Sequence, residues 1–321
     1  MSTLTALRGP ARVVVRQHRK ALWAALALLL TGIGSVIAMR VWIAVRSSDE
    51  LCPDGDMTPC GGGTYLPTYA RTSTETFLSE GGTAMVLFAA LVGAFVAGPL
   101  IARELDSGTF KFAWAQSVSP TRWLVARLAL PLVLATAGCA VLMPVYHWGR
   151  AFGSDYPYAH GLERYAEGVY PGTGPVLLGY VVLAVALGAL CALLLRRTLL
   201  AASTTTLLFG LVFVVMTKVR YRLWPPVRLT GGARPEGAVW HVRSGMLTPS
   251  GKEVGTENCF TVDGFVDHVA CMRHRGGVTQ FVDYHPASHF WPLQLVETGI
   301  VLVLAALAVV VAFRVLRHRT A

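Results

Sequence analysis

Apolar residues in this chain come in long blocks rather than in alternating or heptad stripes. Six blocks reach the roughly 20 residues that a helix needs to cross the hydrocarbon of a bilayer: 21–45, 84–102, 123–148, 174–195, 198–217 and 293–315. The first is too long for the apolar region of a cleaved leader and no small-residue cleavage motif follows it. Its end at Arg40-Val41-Trp42 has the arginine and tryptophan of an interfacial anchor. The second is interrupted by Gly98-Pro99, which predicts a kink near one end of that span. Little more than Arg196-Arg197 separates the fourth from the fifth, so those two form a tight hairpin. The pattern therefore predicts an all-α membrane protein with six transmembrane helices. Residues 1–20 precede the spans, 21–217 carry spans one to five, 218–292 form a large loop, and 293–321 hold the last span and a tail.

Composition sharpens this picture. Hydrophobic residues make up 54% and charged residues 14% of the chain, and the mean hydropathy is +0.52. A soluble domain carries about 25% charged residues. The deficit excludes a disordered, collagen-like or small disulfide-framework protein. A net charge of +10 would suggest nucleic acid in a soluble chain. Here the basic residues decorate the ends of membrane helices, so no nucleic-acid partner is expected.

The same basic residues orient the spans. With the N-terminus cytosolic, thirteen Lys and Arg fall in the inside segments and four in the two short outside loops. The long loop escapes the rule by its length, although Lys218, Arg220 and Arg222 crowd its membrane edge against the trend. Both termini are expected inside. Cysteines agree, since none lies in a proposed cytosolic segment. Cys52 and Cys60 lie in the first outside loop, Cys259 and Cys271 in the large one, and Cys139 and Cys191 within spans. Four cysteines on an oxidising face read as two disulfides; three pairings are formally open, and the local ones, 52–60 and 259–271, are the simplest.

Catalytic signatures are missing. There is no phosphate loop, since Gly251-Lys252 is followed by Glu253, and no G-x-S-x-G or H-E-x-x-H. An enzyme is not expected. His268, Cys271 and His274, with His285 and His289 beyond, have a spacing that could share a helix face and hold zinc. The expected disulfide at Cys271 and the neighbouring Arg273 and Arg275 argue against it, so no metal is expected. Ionisable residues within spans are few. Arg40 and Arg127 can snorkel, whereas Glu297, about one turn into the last span, should pair with an arginine or face the bundle interior.

The loop at 103–122 is the informative segment. It opens with Arg103 and Glu104, turns at Ser107-Gly108, and sets Phe110, Phe112, Ala113 and Trp114 in an amphipathic run. Ser119 is placed to cap the next helix with Pro120 in its first turn. An interfacial helix held by aromatics is the physical expectation. The run 102–109, followed by Ala113-Trp-Ala-Gln-Ser-Val-Ser-Pro-Thr-Arg-Trp123, resembles the coupling segment of six-helix permeases of type-2 ATP-binding-cassette exporters. Arg16-Gln-His-Arg19 is similar to their N-terminal elbow helix. His285-Pro-Ala-Ser-His-Phe-Trp291, with Gln294 and Glu297-Thr-Gly299, resembles the entry to the last span of actinobacterial members. The chain departs from many relatives in its enlarged extracellular loop.

That resemblance implies a permease subunit paired with a separate ATPase and with a second permease copy, as homodimer or heterodimer, in a bacterial plasma membrane. ATP and magnesium would sit on the partner and no cofactor in this chain. It implies that Arg103, Glu104, Gly108, Thr109, Phe110, Phe112, Trp114, Gln116 and Arg122 form the ATPase-coupling segment. The expected cargo is a hydrophobic or amphipathic small molecule, an antibiotic, drug or lipid, moved outward. The alternatives are an immunity or regulatory permease acting on a peptide and, from a different class, a membrane-embedded enzyme.

Overall fold

The computed structural model describes residues 19–47, 69–108, 119–151, 162–233, 235, 239–255, 259 and 268–318. Helix α1 is Arg19–Ser47. The second span is built from α2 (Tyr69–Ser79), α3 (Gly81–Val92), a π-helical segment Gly93–Ala97 and α4 (Gly98–Ser107). Then come α5 (Pro120–Arg150), α6 (Val176–Leu195), α7 (Thr198–Val219), the short α8 (His268–His274) and α9 (Phe290–His318). Six helical stretches are long and apolar enough to span: Leu22–Val45, Thr72–Ser107, Pro120–Arg150, Val176–Leu195, Thr198–Arg222 and Ala287–His318. All six expected spans are present. Residues 1–20, which carry the expected N-terminal elbow helix, lie almost wholly outside the described residues.

Alternation of the spans gives the bundle two ends. The loop end carries Ser107, Pro120, Arg196 and the C-terminus of α9. The sheet end carries the start of α6, the end of α7 and the described residues between 223 and 289. Helix α6 is the axis: between Val176 and Leu193 nearly every side chain is buried, among them Leu177, Tyr180, Leu183, Ala184 and Ala192. A helix apolar all round belongs in the interior, and α6 is wrapped by the second span, α5, α7 and α9. By contrast, Leu199, Leu207, Leu211, Leu295, Val303 and Leu307 on α7 and α9 stay exposed, the outward apolar face of a membrane bundle.

The break near Pro99 takes a form other than a simple kink. Pro99 has no N–H for the carbonyl four residues earlier, and its ring crowds that turn. The helix widens just before it, with the Gly98 N–H donating to the Gly93 carbonyl five residues back. This widened turn lies against α6 with no side chain between the backbones. A Cβ on Gly93 would come within 2.3 Å of the Ala184 carbonyl oxygen, and one on Gly188 within 2.2 Å of the Gly93 oxygen. Small residues one turn apart, Ala184 and Gly188, make that approach possible. At the hairpin between α6 and α7, Arg196 takes a left-handed conformation, φ 54°, and its N–H closes the helix on the Ala192 carbonyl.

Residues 218–292, read as a loop, contain a four-stranded antiparallel sheet of order β1-β4-β2-β3. Its strands are β1 (Val227–Thr230), β2 (Trp240–Leu247), β3 (Glu253–Gly255) and β4 (Thr279–His285). Helix α8 packs on β2 through Met272 and Met246, and the Cys259–Cys271 disulfide fastens it. Cys139 and Cys191 are free and buried within spans, and Cys52 and Cys60 lie outside the described residues.

Candidate functional site

At the loop end, α4 stops at Gly108, whose φ of 72° suits a residue without a Cβ. Helix α5 starts at Ser119, whose hydroxyl accepts the Arg122 N–H, with Pro120 next, as the sequence expects. One carboxylate ties these two helices. Glu104 Oε2 accepts from the indole Nε1 of the buried Trp123 at 2.9 Å, and Oε1 pairs with the Arg127 guanidinium at 2.5 Å. Arg103 is exposed beside it, and Arg122 is exposed in the first turn of α5. Thr109, Phe110, Phe112, Trp114 and Gln116 lie outside the described residues.

Trp123 and Arg127 are thus site residues that the sequence reading did not pick out. Arg127 closes an ion pair with Glu104 across the foot of the loop. A single glutamate before a loop and an arginine about two turns into the following helix were the available signal.

At the sheet end, the short turn of residues 220–222 (Arg220–Arg222) leads off α7, and its first side chain points inward. Arg220 Nε donates to Glu297 Oε2 at 2.7 Å and one Nη to Oε1 at 3.1 Å, with the side chains 2% and 0% exposed. Tyr180 of α6 donates its hydroxyl to Glu297 Oε1 at 2.8 Å. The guanidinium also lies 4.1 Å from the centre of the Tyr170 ring. One turn before Glu297, Gln294 donates to the Tyr170 carbonyl and accepts the Val176 N–H. Glu297 therefore meets its expected arginine, and the cluster joins α6, α7 and α9 with balanced charge.

The sheet docks onto this cluster. His285, at the end of β4, is fully buried and its Nε2–H donates to the Tyr221 carbonyl at 2.9 Å. That assignment leaves Nδ1 as acceptor toward His289 Nδ1 at 3.2 Å. Burial lowers the His285 pKa and favours the neutral ring. Trp240 packs against His285 and stacks on Tyr165, whose hydroxyl donates to the Pro286 carbonyl. Burial pushes the Tyr165 phenol up to about 12. On the strands, Arg228 grips Asp283 with two hydrogen bonds of 2.7 and 2.8 Å, and Arg243 reaches both Asp283 and Glu253. Hydrogen bonds from Arg228 hold both carboxylates below their ordinary range.

None of this is a catalytic constellation. Cys271 is consumed by its disulfide, so the His268, Cys271 and His274 set has no thiolate to offer a metal. His285 and His289 bond to each other, and among the described residues no three metal-binding side chains converge. The arrangement can bear load: an ionic tie at each end of a bundle whose central helix is buried.

Comparison with known families matches residues 20–220, well over half of the chain, to the family described as ABC-2 membrane transporter related. No curated protein and no solved structure matches.

Proposed function

As the chain belongs to the ABC-2 membrane transporter related family, whose members are membrane subunits of ATP-binding-cassette transporters, we propose that it is the permease of an exporter. It is a multi-pass membrane protein by its six apolar helices. In this reading the loop end faces the cytosol with both termini, and the sheet stands outside a bacterial plasma membrane. A separate ATPase binds ATP and magnesium and docks on the 103–122 loop, and a second permease copy completes the pathway. The cargo is a hydrophobic or amphipathic small molecule, an antibiotic, drug or lipid.

The observation that carries this reading is the Glu104 tie at the foot of the loop. Both carboxylate oxygens are engaged inside the bundle, by Trp123 and Arg127. Force on the loop therefore passes to the second and third spans, while the aromatics beyond Gly108 remain for the ATPase. Truncating a well-packed interface aromatic costs about 2 kcal/mol or more. Phe112→Ala with Trp114→Ala should weaken ATPase association at least about tenfold in a pull-down titration, since about 1.4 kcal/mol is a factor of ten. Membrane insertion should survive. Glu104→Lys should leave the complex assembled but abolish substrate-stimulated hydrolysis. A double variant that binds the ATPase at wild-type strength would withdraw the loop from this role.

A further inference from the structure

Three cations in five residues, Lys218, Arg220 and Arg222, stand at the sheet end of α7, where membrane proteins with this orientation carry few. The structure separates them. Arg220 turns inward and is neutralised by Glu297. Lys218 and Arg222 point away from the bundle and are exposed. Among the described residues neither lies within ion-pair distance of a carboxylate.

Arg222 is nonetheless held in place. Its Nε donates to the Tyr221 hydroxyl at 2.8 Å and its guanidinium lies 5.1 Å from the Tyr221 ring centre. That contact uses the inner nitrogen and leaves the two terminal nitrogens, the forked pair that suits a phosphate. Two tryptophans mark the same level. Trp224 is 37% exposed, with its ring edge-on to His289, and Trp291 in the first turn of α9 is 56% exposed. Exposed tryptophans at span ends sit at the depth of lipid headgroups.

We propose that Lys218 and Arg222, flanked by Trp224 and Trp291, bind the headgroup phosphate of an anionic phospholipid in the leaflet at the sheet end. Lys218 supplies a mobile point charge and Arg222 a fixed fork. The tryptophan rings rest among the upper acyl carbons. Charge complementarity selects this occupant, because the cluster offers two positive charges without a carboxylate partner among the described residues, at a depth where phosphates are the available anions. The site is independent of cargo and of the direction of transport. It also accounts for the cations that run against the usual charge bias.

The test uses the full chain in nanodiscs of phosphatidylcholine with graded phosphatidylglycerol, with retained lipid read by native mass spectrometry. Each interfacial cation contributes roughly a factor of five in affinity. Lys218→Gln with Arg222→Gln should therefore weaken phosphatidylglycerol retention about thirtyfold. Arg222→Lys keeps the charge but loses the fork and should fall between. Arg196→Gln with Arg197→Gln, at the other end, controls for general loss of anionic lipid and should leave the sheet-end component intact. Inorganic phosphate at millimolar concentration should not displace the lipid. Equal retention by wild type and the double glutamine variant would overturn the proposal, and so would displacement by inorganic phosphate, which would show a soluble-anion site instead.

Discussion

Arg220 and Glu297 bring two full charges to a place where neither touches water, and their value lies in being matched. Removing one partner of such a pair leaves an unpaired buried charge and costs about 3–5 kcal/mol, whereas replacing both with apolar groups of similar volume is often close to neutral. Arg220→Met or Glu297→Leu alone should lower the thermal midpoint of the purified protein markedly, and the double variant should recover most of the loss. Additive losses would show that the pair does not act as a unit. His285 gives the residue scale a pH signature. Its pKa is lowered in the folded state, so its contribution is complete above the unfolded value of about 6.5 and is lost as pH falls below it. Asp283 and Glu253 are also lowered, so their share is lost only as pH falls below about 4. Protection of the β4 amides from hydrogen exchange, taken relative to their intrinsic rate at each pH, should therefore fall in two steps on acidification. His285→Gln should remove the upper step alone, and a single step near pH 4 in wild type would contradict this assignment.

Among the elements, Gly108 ends α4 in a left-handed conformation with open space around it. A Cβ there meets no atom among the described residues, so Gly108→Ala reads chiefly the backbone cost of about 1–2 kcal/mol. The substitution should misplace the loop end without unfolding the spans, which is checked by wild-type helicity alongside weakened ATPase association. The spans themselves were readable because twenty apolar residues in a row have few other uses. The Ser119 cap and the Gly108 turn were readable because each depends on its own neighbours. The sheet was not. Its central strand β4 buries Phe281, Asp283 and His285 on one face, and two ionisable residues in three inward positions erase the apolar alternation that announces a strand. The Arg220 pairing was hidden for a different reason. Its partner lies 77 residues onward, and next to Lys218 and Arg222 the arginine looked like one more loop cation. The break at Gly98-Pro99 was legible locally, but not its π-helical form nor the close approach of Gly93 to Ala184 and Gly188, which belongs to tertiary contact.

On the scale of the whole molecule, the family match ends at residue 220 while the structure continues as one body. Arg220, Tyr221 and Tyr170 bind α9 and β4 across that point. Cysteines introduced near Thr256 and near Ser107 should react with an impermeant reagent from opposite sides of the membrane, the first in intact cells and the second after permeabilisation. Reaction from one side would remove the six-span topology. The Arg220–Glu297 pair also places the molecule in time. A ribosome adding roughly 5–20 residues per second needs about 4–15 s to travel the 77 residues between the partners. During that interval five spans have been made, and the end of the fifth holds an arginine with nothing to neutralise it. The sheet, made in the same interval, has not yet met the α9 turn that anchors it. Arrival of the last helix therefore closes the bundle and anchors the sheet in one event. A nascent chain that stalls before Glu297 lacks the carboxylate that neutralises Arg220 and, with it, the tie between the fifth and last spans.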